Sequence, residues 1–272
     1  MANKPLVSVI VPTHNRPDFL EKTLQSILKQ TYKNLQIIVV SNGFNQKNKE
    51  IVENLKDKRI LYKEQENSGS PSSPRNHGIR LSKGKYVAFC DDDDLWMPEK
   101  IEKQVEALEK NLNYDLCYSK MLRFDGKKEW AIPHEEGPST LKSLLYVNTI
   151  PISSVFIRKK NLDIYGGFSE DPKVGTAEDY EFLLRHAVHS NFLFIDEYLI
   201  KYWSGSNRMT PIDDNRTLCK NLKYFAYIIG CYYILYKKND IQIKILFKPI
   251  FFHLKNLIKT LGYLGLKKLR LK

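Results

Sequence analysis

The fold is decided by a stretch in which an apolar run ends in acids, Tyr86-Val87-Ala88-Phe89-Cys90-Asp91-Asp92-Asp93-Asp94. The apolar part predicts a buried strand, and the four carboxylates stand where that strand should end. Like charges so close repel strongly inside a protein, so we expect a bound cation or full solvation. Carboxylate oxygens are ligands that Mg²⁺ and Mn²⁺ prefer, often together with phosphate oxygens. The stretch therefore predicts a divalent-cation site, with a nucleotide diphosphate as the natural co-ligand.

A second interpretation of the same acids is structural. The segment Met97-Pro98-Glu99-Lys100-Ile101 predicts a helix, and Asp94 could cap it while the other acids favour its positive N-terminus. The two interpretations are compatible.

The order of elements in residues 1–115 predicts a Rossmann-like, mostly parallel α/β sheet. Apolar runs at 7–11, 35–40, 59–62 and 86–89 predict strands, separated by helices at 17–30 and before 81. Parallel sheets are covered by helices on both faces and bind ligands beyond the C-terminal ends of their strands. We therefore expect residues 13–15, 41–42 and 91–94 to share one rim.

The pattern of residues 116–216 is looser, with short apolar runs between polar loops. A helix is predicted to open near Thr176 and to carry Asp179 in its first turn. An acid at this position is either a functional carboxylate or an ordinary partner of the helix end.

Composition supports a folded chain with a sizeable core, since 42% of the 272 residues are hydrophobic. The four cysteines have no metal-binding or disulfide spacing, so we expect a reducing compartment. The first apolar run is too short for a signal peptide and is stopped by Pro12. Membrane-spanning helices are not predicted either, because no apolar stretch is long enough.

The positive charge is concentrated at the C-terminal end. Residues 217–272 hold twelve lysines and arginines and one acid, Asp240, so they carry +11 of the net +12. The remaining 216 residues are close to neutral. This asymmetry predicts a partner surface in the tail, and a nucleic-acid-binding protein is disfavoured because no binding module accompanies the charge.

Two helices are predicted in the tail. The first has one face formed by Leu218, Leu222, Phe225, Ile229 and Tyr233, which we expect to pack on the body of the protein. The second places one apolar stripe opposite lysines. The stripe consists of Ile250, Leu254, Leu257, Leu261 and Leu264, and the lysines are Lys244, Lys248, Lys255 and Lys259. This arrangement in residues 241–272 is typical of a helix lying in an anionic membrane interface. Packing on the body or pairing with another subunit, as in a homo-oligomer, are the alternatives.

Five motifs occur in order along residues 5–210. They are the 7–16 stretch VSVIVPTHNR; Gln30-Thr31-Tyr32 before the second strand; Asn67-Ser68-Gly69 with Pro74-Arg75-Asn76; Gly84-Lys85-Tyr86 leading to the acids; and Glu178-Asp179. Together they resemble family 2 glycosyltransferases of the GT-A fold. The resemblance implies a nucleotide-sugar donor, a divalent metal, Mn²⁺ or Mg²⁺, and inversion at the anomeric carbon.

The resemblance also implies roles for single residues. The nucleoside pocket would be lined by Pro12, Thr13, His14, Asn15, Ser41 and Asn42. Arg75 would approach the donor. Of the DxD-type motif, Asp92 would contact the ribose or the metal shell, and Asp93 with Asp91 would ligate the metal.

Two further roles concern transfer itself. Asp179 matches the family's general base, which deprotonates the acceptor hydroxyl during a single inverting displacement. Arg208 lies in the segment of residues 202–208, which resembles one that closes over the donor. There it either pairs with phosphate or is an ordinary loop arginine.

One departure from the family pattern concerns the base. Ser41 replaces an acid that holds the base in relatives, which weakens an expectation of uracil, although Ser41 and Asn42 can still hydrogen-bond a base edge. His14 faces the base or is an ordinary loop histidine.

We therefore predict a GT-A catalytic domain at 1–216, with a nucleotide-sugar half at 1–115 and an acceptor half at 116–216, followed by a basic helical extension at 217–272. The predicted enzyme is cytoplasmic and peripheral on the inner face of the plasma membrane. It serves bacterial surface-polysaccharide, lipopolysaccharide or capsule synthesis and acts on a glycan or lipid-linked acceptor. A nucleotidyltransferase is the alternative enzyme, disfavoured by Glu178-Asp179 and by the lack of a glycine-rich loop after the first strand.

Overall fold

A computed structural model describes residues 4–131, 139–205, 218–238 and 241–269. Its first half alternates strands and helices: β1 (Val7–Thr13), α1 (Pro17–Leu28), β2 (Leu35–Asn42), α2 (Gln46–Leu55), β3 (Ile60–Gln65), α3 (Ser72–Leu81) and β4 (Tyr86–Phe89). The four strands are parallel and lie in the order β3, β2, β1, β4. The predicted parallel sheet is confirmed.

The register of this half explains why the site lies at one edge. Val7 pairs with both Leu35 and Tyr86, so β1, β2 and β4 start level. β4 ends opposite Ile10, and Asp92 beyond it reaches Thr13 at the end of β1. Every residue of β1 and β4 is buried. Helices must therefore cover both faces of these strands, and the apolar runs without alternation follow from that burial.

One helix of this half, α2, was not predicted from the sequence. Its ten residues are mostly polar, and only Asn48 and Val52 are buried. Its start is fixed locally, because the Asn45 side chain accepts a hydrogen bond from the backbone N–H of Asn48 at 3.0 Å.

The second half contributes the remaining elements of the body. They are β5 (Leu95–Trp96), α4 (Lys100–Lys110), β6 (Leu116–Phe124), β7 (Glu129–Ala131), α5 (Leu141–Leu144), a 3₁₀ turn (Ile152–Ser154), β8 (Phe156–Arg158), α6 (Lys159–Tyr165), α7 (Glu178–His189) and β9 (Phe192–Trp203). In the described residues all strands join one sheet, ordered β3-β2-β1-β4-β8-β6-β9-β5, with β7 added on β6. Antiparallel pairing enters at β8, where Val87 pairs with Ile157. The whole sheet is therefore mixed.

Alternate residues of the strands feed two cores on opposite faces of the sheet. One core contains Ile10, Val87 and Phe89 and is covered by α7. The other contains Val9, Ala88 and neighbours under α1 and α4. Cys90, Cys117 and Cys231 are free, buried thiols.

The basic tail forms α8 (Leu218–Lys237) and α9 (Ile243–Leu269). Ile228, Tyr232 and Leu235 of α8 are buried in the core that α7 covers. The predicted packing of this helix on the body is therefore observed, but the predicted face is only partly buried, with Ile229 packed against this core. Leu222 and Tyr233 of that face are 44% and 45% exposed.

The apolar stripe predicted for α9 is also rotated. Ile250 packs against the core of the body, whereas Leu254 is exposed and the side chains of Leu261 and Leu264 lie outside the described residues. The four predicted lysines are all exposed. Among the described helices, none is both long and apolar enough to cross a bilayer.

Candidate active site

A cavity of about 450 Å³ opens at the C-terminal ends of β1, β2 and β4. It brings together most of the predicted site residues: Pro12, Thr13, His14, Asn42, Arg75, Asp91, Asp92, Asp93 and Asp179. Asn15 and Ser41 do not line it, contrary to expectation. Arg208 lies outside the described residues. The ends of the parallel strands thus bring residues 12–14, 42 and 91–93 together, and α3 and α7 add Arg75 and Asp179 to the same space.

Residues 91–94, which we call the acid loop, are held in place by α1. The Thr23 hydroxyl lies 2.9 Å from the carbonyl oxygen of Asp92 and 2.8 Å from that of Asp94, so it reaches both sides of the turn. The buried Thr23 side chain of α1 therefore fixes the backbone of the acid loop just after β4.

Asp92 faces β1 and is almost fully buried. Its carboxylate accepts a hydrogen bond from the Thr13 hydroxyl at 2.8 Å and a longer one from the His14 backbone N–H at 3.4 Å. Burial, and next the charge of Asp93, raise the pKa of Asp92 to about 7. In this structure Asp92 ties the acid loop to the β1 loop.

Asp93 turns toward the cavity, where it meets Arg16. Arg16 Nη1 lies 2.7 Å from Asp93 Oδ2 and 3.4 Å from Asp92 Oδ1. Burial and the neighbouring Asp91 raise the pKa of Asp93, and Arg16 opposes that shift. The guanidinium of Arg16 therefore compensates part of the repulsion that the sequence predicted.

Asp94 does not cap a helix. Its Oδ1 accepts a hydrogen bond from the Trp203 backbone N–H at 2.9 Å, and the residue is only 1% exposed. The residue preceding α4 is Glu99, which forms no side-chain cap. The capping interpretation is wrong, because Asp94 joins the acid loop to the end of β9 instead.

Arg75 joins the two groups of acids that the sequence predicted. Its guanidinium donates to Asp91 Oδ1 at 2.7 Å and to Glu178 Oε1 at 2.9 Å. Arg75 and Glu178 are buried, and the two acids raise the pKa of Arg75 despite its burial. Arg75 Nε, also buried, has no hydrogen-bond partner within the described residues.

Asp179 lies at the start of α7, as predicted. Its Oδ1 accepts a hydrogen bond from the Tyr180 backbone N–H at 2.7 Å, and its Oδ2 lies 3.4 Å from Asn148 Nδ2. Burial, and next the charge of Glu178, raise the pKa of Asp179 to about 7. A carboxylate with this pKa can accept a proton near neutral pH.

The end of β2 is tied to its own surroundings. The Asn42 amide donates to Asn67 and to the Ser70 carbonyl, and its oxygen accepts from Gln65 and Ser68. These bonds hold the loop that lines one side of the cavity. They use the groups of Asn42 that we expected to read a base.

The buried Ser41 side chain likewise hydrogen-bonds to other groups of the protein. Its hydroxyl donates to the Gly43 carbonyl at 2.7 Å and lies 3.4 Å from Asn48 Nδ2. The Ser41 side chain therefore helps to shape the turn after β2.

The two polar residues of the β1 loop differ in position. His14 lines the cavity and its Nδ1 lies 2.5 Å from the Asn42 carbonyl oxygen, a contact in which Nδ1 carries a proton and donates it. Asn15 has a positive φ of 52° and its Oδ1 accepts from Asn45. Asn15 therefore shapes the turn, while His14 lines the cavity.

Several lining residues were not assigned a role from the sequence. Arg16 and Glu178 belonged to quoted motifs, but their partners are remote in the chain. Pro151, Ile152 and Thr176 also line the cavity. Tyr202 and Trp203 line it too, and they begin the 202–208 segment that resembles one closing over the donor. No local signal marked Pro151 and Ile152, because they reach the site only through the packing of the 3₁₀ turn.

The cavity fits a hard divalent cation in its ligand chemistry. Asp91 and Asp93 keep side-chain exposures of 29% and 16% at the cavity. Within the described residues, no three acidic, histidine or cysteine side chains converge as a complete metal site. Mg²⁺ commonly takes one or two protein carboxylates and completes its shell with phosphates and water, and the two carboxylates suit that mode.

Fold and site together define a GT-A glycosyltransferase class of protein. The family model described as Glycosyl transferase family 2 matches residues 8–193. An uncharacterised glycosyltransferase of Methanocaldococcus jannaschii is 31% identical over 235 residues, which cover 83% of this chain and 78% of the relative. The chain belongs to glycosyl transferase family 2, and the recognised resemblance is confirmed.

Other relatives are longer than this chain. An uncharacterised glycosyltransferase of Rickettsia typhi is 32% identical over 210 residues, covering 72% of this chain and 63% of the relative. One of Rickettsia felis is 42% identical over 236 residues, covering 84% of this chain but 38% of the relative. The chain thus spans less than two thirds of these two relatives.

Solved structures show the same fold. S. aureus TarS 1–349 in complex with UDP-GlcNAc aligns with a TM-score of 0.65 at 18% identity, covering 94% of this chain and 81% of that one. The mannosyltransferase PcManGT from Pyrobaculum calidifontis, in complex with GDP-Man and Mn²⁺, aligns with a TM-score of 0.63 at 16% identity, covering 94% and 70%. The predicted GT-A fold is confirmed.

Proposed function

We propose that the protein is a metal-dependent, inverting glycosyltransferase. It moves a hexosyl or N-acetylhexosaminyl group from a nucleoside-diphosphate sugar to a hydroxyl of a glycan or lipid-linked acceptor. One observation carries the proposal: a single cavity has Asp91 and Asp93 at one side and Asp179 at another. Two acidic sites around one space suit a reaction that must stabilise a leaving group and deprotonate a nucleophile.

The side of the cavity that would hold the departing diphosphate is lined by carboxylates and an arginine. Asp93 and Asp91 would hold Mn²⁺ or Mg²⁺, which when bound neutralises the charge of the departing diphosphate. Arg16, already beside Asp93, supplies a second positive group within reach of the cavity. Arg208, in the predicted closing segment, is proposed as a further phosphate partner.

The nucleophile side is built around Asp179. The acceptor hydroxyl loses its proton to the Asp179 carboxylate as its oxygen bonds to the anomeric carbon, and the bond to the diphosphate breaks on the opposite face. Asn148 and the Tyr180 backbone N–H orient the carboxylate. The products are a glycoside of inverted configuration and a nucleoside diphosphate.

Neighbouring structures support a nucleotide-sugar donor without choosing its base. TarS is seen with UDP-GlcNAc and PcManGT with GDP-Man. The nucleoside end of the donor is assigned to the space beside His14, Pro12 and the loop held by Asn42. Because Ser41 and Asn42 are committed within the protein, we assign no base contact to their side chains.

The setting that we propose is the cytoplasmic face of a bacterial plasma membrane. There the enzyme would be peripheral and would contribute to a surface polysaccharide, lipopolysaccharide or capsule. The support is the charge of the tail, +11 in residues 217–272 against a nearly neutral body. A basic surface suits an acceptor carried by lipid in an anionic membrane.

A donor panel tests the chemistry. UDP-GlcNAc, UDP-glucose, UDP-galactose and GDP-mannose are incubated with the protein, with and without Mn²⁺, and the released sugar is followed by proton NMR. We expect the protein to hydrolyse one donor only when Mn²⁺ is present. The first sugar released should have the anomeric configuration opposite to that of the donor. Retention, or absence of hydrolysis for every donor tested with Asp179 intact, would contradict the proposal.

A further inference from the structure

The outward side of α9 carries an exposed apolar stripe that differs from the one predicted. Large side chains are exposed to between 39% and 68% at Ile243, Phe247, Phe251, Leu254 and Ile258. These positions follow a helical repeat and fall within a sector of roughly 80° at about 100° per residue. We call these five residues the α9 stripe.

A row of lysines lies directly beside this stripe. Lys244, Lys248, Lys255 and Lys259 are exposed and fall in the next sector of roughly 60° on the same helical projection. The sequence of α9 contains no acidic residue that could neutralise them. One side of the helix therefore presents apolar groups and positive charge together.

The opposite side of α9 is held by the body of the protein. Leu246 is buried and Ile250 packs on the core, while His253 Nε2 lies 3.1 Å from the Leu145 carbonyl oxygen. Phe252 packs edge-on against Tyr146 at 5.1 Å between ring centroids. These contacts hold α9 with its stripe facing outward, so the stripe is exposed without any rearrangement of the protein.

We propose that the α9 stripe and its lysine row dock the protein on an anionic lipid bilayer. Apolar side chains would enter the interface while the lysines pair with lipid headgroups, which is how amphipathic helices bind without spanning. A second copy of the chain fits less well. A two-fold contact would bring the same lysine rows together, and the nearly neutral body offers no comparable excess of negative charge.

The docking face is connected to the acceptor side of the site. Leu145, which α9 contacts, lies three positions before Asn148, the residue that approaches Asp179. The inference rests on the proposed membrane setting and names the surface responsible. It places a membrane-bound acceptor on the side of the protein where α9 supports the segment leading to the base.

The experiment is co-sedimentation of the full chain with phosphatidylcholine vesicles, with and without phosphatidylglycerol, at low and high salt. One variant changes Phe247 and Phe251 to Ser. A second changes Lys244, Lys248, Lys255 and Lys259 to Glu. Matched controls change the exposed Leu112 and Ile164 to Ser, and Lys22, Lys29, Lys47 and Lys49 to Glu, so that composition and net charge change equally elsewhere.

We expect wild type and both controls to bind phosphatidylglycerol vesicles, and high salt to weaken that binding. The lysine variant should lose at least about 100-fold in partitioning, and the phenylalanine variant should lose binding at both salt concentrations. Donor hydrolysis without lipid should be unchanged in both, which separates docking from chemistry.

Three results would overturn the inference in different ways. Wild-type binding that both α9 variants retain would leave the membrane setting intact but assign it to another surface. Absence of wild-type binding would reject the membrane setting. Light scattering after gel filtration then completes the test, since a wild-type dimer that becomes a monomer on changing Phe247 and Phe251 would make the stripe a subunit interface.

Discussion

Arg75 Nη1 lies 2.9 Å from Glu178 Oε1, although the two residues are separated by 103 positions in the chain. The same guanidinium reaches Asp91 at 2.7 Å. A single buried cation therefore joins the acid loop after β4 to the start of α7. Because Asp179 follows Glu178, the two acidic sides of the cavity are held in one network.

Arg75→Met should destabilise the protein strongly. The change leaves Glu178 buried without its ion-pair partner, and breaking such a pair costs about 3–5 kcal/mol. Urea unfolding measures the loss. Arg80→Met, at an exposed position of the same helix, should change stability by less than about 0.5 kcal/mol. Equal effects of the two changes would show that the Arg75 network does not support the fold.

Asp179→Asn should lower the turnover number by roughly 10²- to 10⁴-fold, since the amide keeps the size of the side chain but cannot accept the proton. Affinity for the nucleoside diphosphate should change little. Steady-state kinetics and calorimetry measure the two quantities. Asp163→Asn, at an exposed site on α6, is the control. Near-normal transfer by the folded Asp179→Asn protein would reduce this residue to a helix-end acid.

The pH profile should carry the signature of Asp179. Its pKa is raised to about 7, and the base must be ionised, so kcat/KM should rise as pH increases through about 7 and then level. The pKa of Asp92 is also raised to about 7. The pH dependence of the residual activity of Asp179→Asn shows which of the two carboxylates is responsible. In the variant, kcat/KM should no longer fall as the pH drops below about 7. The same fall in the variant would assign the titration to another group.

Leu235→Ala in α8 should cost about 2–5 kcal/mol of stability, as expected for a buried leucine replaced by alanine. Leu235 is fully buried in the core that α7 covers, whereas the adjacent Tyr236 is 46% exposed. Tyr236→Ala is therefore the matched control, with little expected loss in thermal or urea unfolding. Similar stability of the two variants would mean that α8 does not contribute to this core.

The sequence predicted the rim of the site because parallel strands bring their ends to one edge. The apolar runs of β1, β2 and β4 were sufficient for that, and the acids followed directly. The apolar pattern of α8 was not sufficient for its orientation. That helix has apolar side chains on several sides, so spacing did not distinguish the buried Tyr232 from the exposed Tyr233.

The run of four acids shows a second limit of sequence reasoning. All four carboxylates look alike in the chain, but their surroundings separate them. Asp94 is bound to the Trp203 backbone and Asp92 to Thr13, whereas Asp91 and Asp93 pair with arginines at the cavity. Those partners come from remote positions, and the sequence near residue 91 carries no signal of them.

The central claim is that Asp93 belongs to a cation site that serves the donor diphosphate. The most direct measurement is calorimetric titration of UDP and GDP into wild type and Asp93→Ala, with and without Mn²⁺, after both proteins are shown to unfold at similar temperatures. We predict that Mn²⁺ tightens wild-type binding of one nucleotide by at least about tenfold and that Asp93→Ala loses this response. Binding that stays equally responsive to Mn²⁺ in the variant, or a wild type that does not respond, would contradict the claim.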